Sequence, residues 1–354
     1  MEMTDFLVAR DDLAKTSWAT SPVPDLAEGE VLAALDRFAF TTNNMTYAAF
    51  GSDIRFWDYF PAPDGLGRIP VWGTGRVIRS RHPDLPEGEP IYGFFPMSSH
   101  VVLQPAMIRA RRFVDGAPHR APLPPTYNEY TRLAADPDYD PSQADLHLVL
   151  RPLFALAFFL GASLQEKSMF GAPRALVSSA SSKTALSIGC VLRDAGIPAI
   201  GLTSEANRAF VESTGVFDSV GDYGRIATLP REPVVYVDMA DNAGIRRRVH
   251  EHFGGLLRHS SRAGFTHGER EEAGALPGPA PEFFFAPDHI LALRKAWGPD
   301  VLRERLIASQ RRVFAQLAPH LRFRTGAGRA AVEQAYHEVR AGRTAPQDAW
   351  ILSV

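Results

Sequence analysis

Residues 175–208 read ALVSSASSKTALSIGCVLRDAGIPAIGLTSEANR. A short aliphatic run from Ala175 to Ser179 meets a cluster of small polar residues. It is followed by a helix-spaced stretch, TALSIGCVLRDAG, and by a second aliphatic run, AIGLT. The rhythm continues through ANRAFVESTG, SVGDY, VVYVDM, GIRRRVHEHFGG and LLRHSS. Short strands alternating with helices of about ten residues predict a parallel, doubly wound α/β sheet with helices on both faces.

Working outward, the chain up to about residue 125 changes texture. DFLVA, EVLAALDRFAF, PVWGTGRVIRS, EPIYGFF and SSHVVLQP are β-prone segments punctuated by Gly, Pro and Asp, and they predict a small β-barrel. The polar stretch AADPDYDPSQADLH suggests a crossing between two domains, with a boundary near 130–145. Downstream, EREEAGALPGPAP (269–281) reads as an exposed excursion. DHILALRKAW and PDVLRERLIASQRRVFAQLA then show helical spacing, with Leu293, Trp297, Leu302, Leu306 and Val313 expected to be buried. LRFRT, AAVEQAYHEVRAG and AWILSV close the chain as strand, helix and strand.

At 354 residues the chain exceeds the size at which one core usually keeps growing, which favours two domains. Apolar residues at 45% and charged residues at 22% describe an ordinary globular protein. A formal charge of −2 offers no basic excess for a phosphate backbone, so nucleic acid is not the expected partner. Cys190 is the single cysteine and can form no intramolecular disulfide, which points to a reducing, cytoplasmic setting. The first residues, MEMTDFLVARDDLAK, lack the features of a secretory signal. LFALAFFLGA (153–162), about half the length of a bilayer span, reads as a buried helix, so no membrane partner is expected.

The turn after the first strand of the quoted stretch is where a doubly wound sheet holds a pyrophosphate, because helix-start amides and the helix dipole favour an anion there. Where a Gly-x-x-Gly-x-x-Gly run would lie, this chain has Ser179, Ser182 and Ala185, with Ser181, Lys183 and Thr184 around them. Serine tolerates a positive φ poorly, so the turn is either rebuilt with negative φ or filled by hydroxyl hydrogen bonds. Lys183 adds a charge directed at phosphates, unless the segment is only a Ser-capped turn with a solvated lysine. At the end of the second strand, Thr203, Ser204, Asn207 and Arg208 suit a 2′-phosphate, with Glu205 slightly late for a ribose hydroxyl. That favours NADPH over NADH; the plainer reading leaves Arg208 solvated on a surface helix.

On these residues the chain resembles the medium-chain dehydrogenase/reductase superfamily, in its zinc-independent quinone and enoyl reductase branch, and within it a bacterial family of unknown function. The likeness spans nearly the whole chain. EGEVLAALDRFAFTTNNMTYAAFG (28–51) is similar to the family's second strand and active-site loop, and EGEPIYGFFPMSSHVVLQPAMI (87–108) to its barrel closure. RTGAGRAAVEQAYHEVRAGRTAPQDAWILSV (324–354) is similar to its final strand, helix and strand. The resemblance implies a GroES-like β-barrel catalytic domain (1–135 and 285–354) and a Rossmann dinucleotide-binding domain (136–284). It also implies a homodimer and an NADPH-dependent reductase of enones, quinones or enoyl-type substrates.

Zinc-dependent relatives carry a Cys in the catalytic loop, a Gly-His-Glu motif and often a four-Cys lobe, none of which is present here. Cys190 falls in a helix as a small buried thiol, and His82, His100, His119 and His147 read as surface or capping residues, so no metal is expected. Without a metal, hydrogen-bond donors must polarise a carbonyl. The resemblance places Asn43, Asn44 and Tyr47 in that role, Tyr47 as proton donor or carbonyl-orienting group and Asn44 as an anchor. The alternative has both asparagines capping the helix MTYAAFG and Tyr47 packed beneath it. Phe56, Trp57, Tyr59 and Phe60, with Tyr127 and Asn128, are candidates to line a pocket for a small apolar substrate, although such clusters also form ordinary core. By position in the family, Tyr223 lies beside the adenosine, Asp238 and Met239 near ribose and nicotinamide, and Ser260 and Ser261 face the nicotinamide. Two further readings stay open: a catalytically silent dinucleotide sensor, and an enzyme taking another nucleotide-like ligand.

Overall fold

The structure is a computed structural model describing residues 1–53, 55–263, 275–284 and 286–354. The chain divides into two compact units, Met1–Val149 with Arg322–Val354, and Leu150–Leu321. Much of the Gly/Pro/Ala-rich excursion at 269–281 lies outside the described residues.

In the first unit a nine-stranded sheet curls around an apolar core. Its main path runs through Arg322–Ala327, Asp348–Ser353, Val31–Phe40, Pro70–Ser80, Pro90–Pro96, Glu129–Arg132, Arg112–Asp115 and Pro105–Ala106, with His100–Leu103 paired to Val31–Phe40. The pairings are antiparallel except for Arg322–Ala327 with Asp348–Ser353, which the helix Gly328–Arg340 joins as a parallel crossover. A smaller sheet orders Thr16–Pro22, Glu2–Ala9 and Leu66–Gly67. The Thr16–Pro22 strand has no hydrophobic alternation (TSWATSP) and is mostly exposed, so sequence periodicity does not reveal it. Phe6, Val31, Phe38, Phe40, Val71, Phe95 and Tyr336 fill the core with Trp57. Trp57 lies so close to Gly51 and Gly67 that a Cβ at either position would overlap its ring.

The second unit contains a six-stranded, all-parallel sheet in the order Ser219–Asp222, Ala199–Thr203, Arg174–Val177, Val234–Asp238, Leu257–Arg262, Glu282–Phe283. In chain order this is 3-2-1-4-5-6, so the direction of winding reverses between the first and fourth strands. Five strands fall where the sequence rhythm places them. The sixth, Glu282–Phe283, has two residues and follows the Gly/Pro-rich stretch, too short for any periodicity to register. Leu176, Ile200, Leu202, Val234 and Tyr236 pack on Val249 and Phe253 of the helix Ala243–Phe253.

Helices Ala286–Trp297 and Pro299–Leu317 belong to this unit. Leu293, Leu302 and Val313 are buried, whereas Trp297 and Leu306 are only half-buried. Trp297 is held at the surface by a hydrogen bond to Glu166 (2.8 Å) and by the Arg305 guanidinium over its ring. The apolar run at 153–162 sits inside a 23-residue helix, Ala144–Glu166, longer than the run alone suggests. Among the described residues the segment Pro141–Glu166 is the one helix long and apolar enough to cross a membrane; 78% of its most apolar window is buried within the protein.

Candidate functional site

The strand Arg174–Val177 leads into Ser178, which is fully buried, and Ser179, which adopts φ +52°. The turn is therefore not rebuilt with negative φ; a serine occupies the left-handed conformation a glycine would take. One hydroxyl and one backbone amide hold it there. The Ser179 amide donates to the Tyr223 hydroxyl (2.8 Å) and its carbonyl accepts from the Ser182 amide (2.8 Å). Ser182 is the N-cap of the helix Lys183–Asp194, accepting from the Ala185 amide (3.2 Å), so Lys183 and Thr184 form its first turn. The need for a small residue has moved to the neighbouring strand: a Cβ on Gly201 would sit 2.9 Å from Cβ of Ala180.

Thr203 is buried at the end of the second strand, beside Asp222 across the sheet, and Ser204 is the N-cap of the helix Glu205–Thr214. Asn207 ties this helix start to the first turn by donating to Ser181 Oγ (3.1 Å). Arg208 pairs with Glu212 one turn along the same helix (2.8 Å), which raises its pKa. Glu205 beside Asp222, together with the Gly224 amide that donates to its carboxylate, holds Asp222 below the usual carboxylate range.

Asp238 ends the fourth strand fully buried and saturated with donors. Its Oδ1 accepts from Ser178 Oγ (3.1 Å) and from the Ala240 and Asp241 amides, and its Oδ2 from Arg246 Nε (2.7 Å). The Met239 amide donates to Ser178 Oγ (2.9 Å). On the fifth strand both Ser260 and Ser261 are buried, and the Ser260 hydroxyl meets His250 Nε2 at 3.0 Å. The other nitrogen, Nδ1, lies 2.9 Å from the Pro277 carbonyl, which can only accept. His250 therefore carries its proton on Nδ1, and Nε2 accepts from Ser260. Burial lowers the His250 pKa and keeps the ring neutral. Tyr223 is pushed up to about 12, chiefly by burial.

In the other unit the helix Thr42–Ala49 begins with a capping box, Thr41 accepting from the Asn43 amide and Asn44 Oδ1 accepting from the Thr41 amide (2.9 Å). Asn44 is buried and also donates to the Pro70 carbonyl (3.1 Å). Asn43 instead donates its side-chain amide to the Tyr47 hydroxyl (2.8 Å), as does the Trp72 indole (3.2 Å). With both lone pairs engaged as acceptors, the phenolic hydrogen is left to donate. Burial raises the Tyr47 pKa, while the two donors, which stabilise the phenolate, pull it back.

Around Tyr47 stand Phe56, Phe94 and Tyr127, with ring centroids at 4.6, 5.3 and 6.2 Å. Burial raises the Tyr127 pKa well above its ordinary value. Tyr59 is buried and donates to the Pro124 carbonyl (2.9 Å), and Trp57 is packed into the barrel core. Asn128 is buried behind them, donating to the Arg120 carbonyl (3.2 Å). Trp72, reached by no sequence motif, joins Asn43 on the phenol because cross-sheet proximity, not spacing, sets its place.

Cys190 is buried in the helix Lys183–Asp194, its thiol pushed up to about 12 by burial. His82 accepts from the Asp84 amide, and His119 reaches the Tyr59 carbonyl. His147 departs from the surface role read for it: it is buried on the helix Ala144–Glu166, edge-on to Tyr139. Among the described residues no three His, Cys, Asp or Glu side chains are grouped to hold a metal ion.

A GroES-like barrel and a Rossmann sheet in one chain define the medium-chain dehydrogenase/reductase fold. CurA from Vibrio vulnificus, solved in complex with NADPH, matches over 99% of each chain at TM-score 0.64 and 15% identity. The yhdH oxidoreductase from Salmonella enterica in complex with NADP matches over 99% of each chain at TM-score 0.55 and 14% identity. CurK enoyl reductase does so over 99% of each chain at 0.56 and 11%. Residues 38–345 match the family described as protein of unknown function (DUF2855), and the chain belongs to that family. No curated protein matches the sequence.

Proposed function

We propose that this protein is an NADPH-dependent, zinc-free reductase acting on an activated double bond or carbonyl of a small, largely apolar substrate. We place it in the cytoplasm as a homodimer. The observation that carries the reading is the Tyr47 hydroxyl, which accepts from Asn43 and Trp72 and so keeps its hydrogen to give. A phenol in an aromatic surround, polarised by two donors, is suited to donate to a carbonyl oxygen as negative charge develops on it.

The residues of the parallel sheet fit the cofactor. The left-handed Ser179 preserves the tight turn, and the first turn of Lys183–Asp194 offers backbone amides to a pyrophosphate, with Ser181, Ser182, Lys183 and Thr184 around it. Thr203, Ser204, Asn207 and Arg208 stand at the ribose end. Releasing Arg208 from Glu212 costs little, since both side chains are exposed and a solvent-screened i,i+4 pair is weaker than a charge-assisted bond to phosphate. When bound, NADPH supplies the hydride. Tyr47 donates or orients, and the engagements of Asn44, Asp238 and Ser260 assign them to holding backbone and helices in place. Tyr223 supports the phosphate turn, with Met239 and Ser261 flanking the nicotinamide end.

The test is titration of the purified protein with NADPH and NADH by nicotinamide fluorescence, followed by turnover with enones, quinones and enoyl thioesters. Arg208→Ala should weaken NADPH much more than NADH. Absence of any binding removes the proposal. A second reading is a catalytically silent dinucleotide sensor on the same scaffold, drawn from the serine that stands for glycine at Ser179. Tight NADPH binding without turnover across the panel would select it.

A further inference from the structure

Two non-glycine residues at the carboxyl edge of the parallel sheet take positive φ: Ser179 (+52°) after the first strand and Asp241 (+45°) after the fourth. These two strands are neighbours, and the winding reverses between them, so the residues flank the crevice where doubly wound sheets bind ligands. Left-handed backbone at an L-residue is unfavourable and persists where its surroundings hold it, often at ligand clamps. At Ser179 the hold comes from Tyr223 and serves the phosphate turn.

At Asp241 the hold is ionic. Its buried Oδ1 accepts from Arg246 Nη2 (2.6 Å) and from Arg262 through Nη2 (2.8 Å) and Nε (3.2 Å). Arg246 also binds Asp238, so two carboxylates and two guanidiniums are linked in one network. Three of these side chains are almost wholly enclosed. The Arg262 side chain remains 42% exposed at the last residue of the fifth strand, while two of its nitrogens are fixed on Asp241. A guanidinium immobilised by a buried carboxylate loses little further entropy when it takes an anion.

We propose that Arg262, aimed by Asp241, is an anion anchor on the far side of the crevice from the phosphate turn, and that it takes a carboxylate of the substrate. Two strand spacings of about 4.8 Å separate the first strand from the fifth, so the anion lies about 10 Å across the sheet from the pyrophosphate turn. The inference rests on that edge being the cofactor edge. It adds a charged end to a substrate otherwise read as apolar.

The experiment is calorimetric titration of the NADPH-saturated protein with trans-3-acetylacrylate and, separately, with its methyl ester, which removes the charge and adds one methyl group. The native protein should bind the acid about tenfold or more tightly than the ester. Arg262→Gln should erase that preference, weakening the acid roughly 10- to 100-fold, with Arg262→Lys intermediate and folding of both confirmed by thermal melting. Equal binding of acid and ester by the native protein, or binding of neither, overturns the anchor. A comparable loss of NADPH affinity in Arg262→Gln also overturns it, by assigning the arginine to the cofactor's phosphates. If the acid binds with the expected preference but no NADPH is consumed with any substrate, the reductase reading fails and the anchor stands.

Discussion

At the carboxyl edge of the parallel sheet, Asp238 accepts four hydrogen bonds and is joined to Arg246, Asp241 and Arg262, so nearly every buried charge there is answered by another. Around Tyr47 the surroundings are Phe56, Phe94 and Tyr127, and the phenol meets two polar donors with its own hydrogen kept back. The contrast separates holding from reacting. A saturated network fixes backbone turns because removing any member strands the others in low dielectric. A polar group left one bond short in an apolar surround retains something to exchange.

The largest loss of stability should come from the network. Asp238→Ala takes from Arg246 one of its two carboxylates and from the Ser178 hydroxyl and Asp241 amide their acceptor, and chemical denaturation should show a loss of about 3 kcal/mol. A change below about 1 kcal/mol would break the comparison. Tyr47→Phe should have the opposite profile: turnover reduced about 100-fold with NADPH affinity nearly unchanged, and a smaller stability loss of about 1–2 kcal/mol as the part-buried Asn43 amide and Trp72 indole lose their acceptor. An unaltered rate would leave the aromatic surround as ordinary core.

The effect of pH on stability should be smaller. The folded His250 has a pKa below its ordinary 6.5, so on acidification the unfolded chain takes up the proton first. Stability should fall as pH drops from about 6.5 through the lower folded value, and be insensitive to this group above that window. His250→Gln should flatten part of the slope in denaturation measured between pH 7 and about pH 5; His100, His259 and His289, also lowered by burial, account for the remainder. The smallest change is expected at Thr41→Ala, which removes half of the capping box and should cost about 1 kcal/mol by thermal melting. Any accompanying loss of turnover would show that the cap also places Asn43 and Tyr47.

The main elements were legible because their patterns are local. Val31–Phe40, Pro70–Ser80 and five of the parallel strands coincide with aliphatic or β-branched runs bounded by Gly, Pro or Asp. Thr16–Pro22 and Glu282–Phe283 were not legible, since each is an edge element defined by a partner's backbone and not by its own side chains. The Ser-for-Gly turn was visible as a departure, but the hydroxyl of Tyr223, 44 residues away, that holds it was not.

From sequence alone, therefore, come the two architectures, the family likeness and the position of the small-residue turn, because each rests on neighbours along the chain. Tertiary structure alone decides which polar groups are engaged: it commits Asn44 and Asp238 to the scaffold, brings Trp72 onto Tyr47, and aims Arg262 with Asp241. Engagement depends on hydrogen-bond partners a few ångströms away in space and far apart in sequence, which no periodicity encodes.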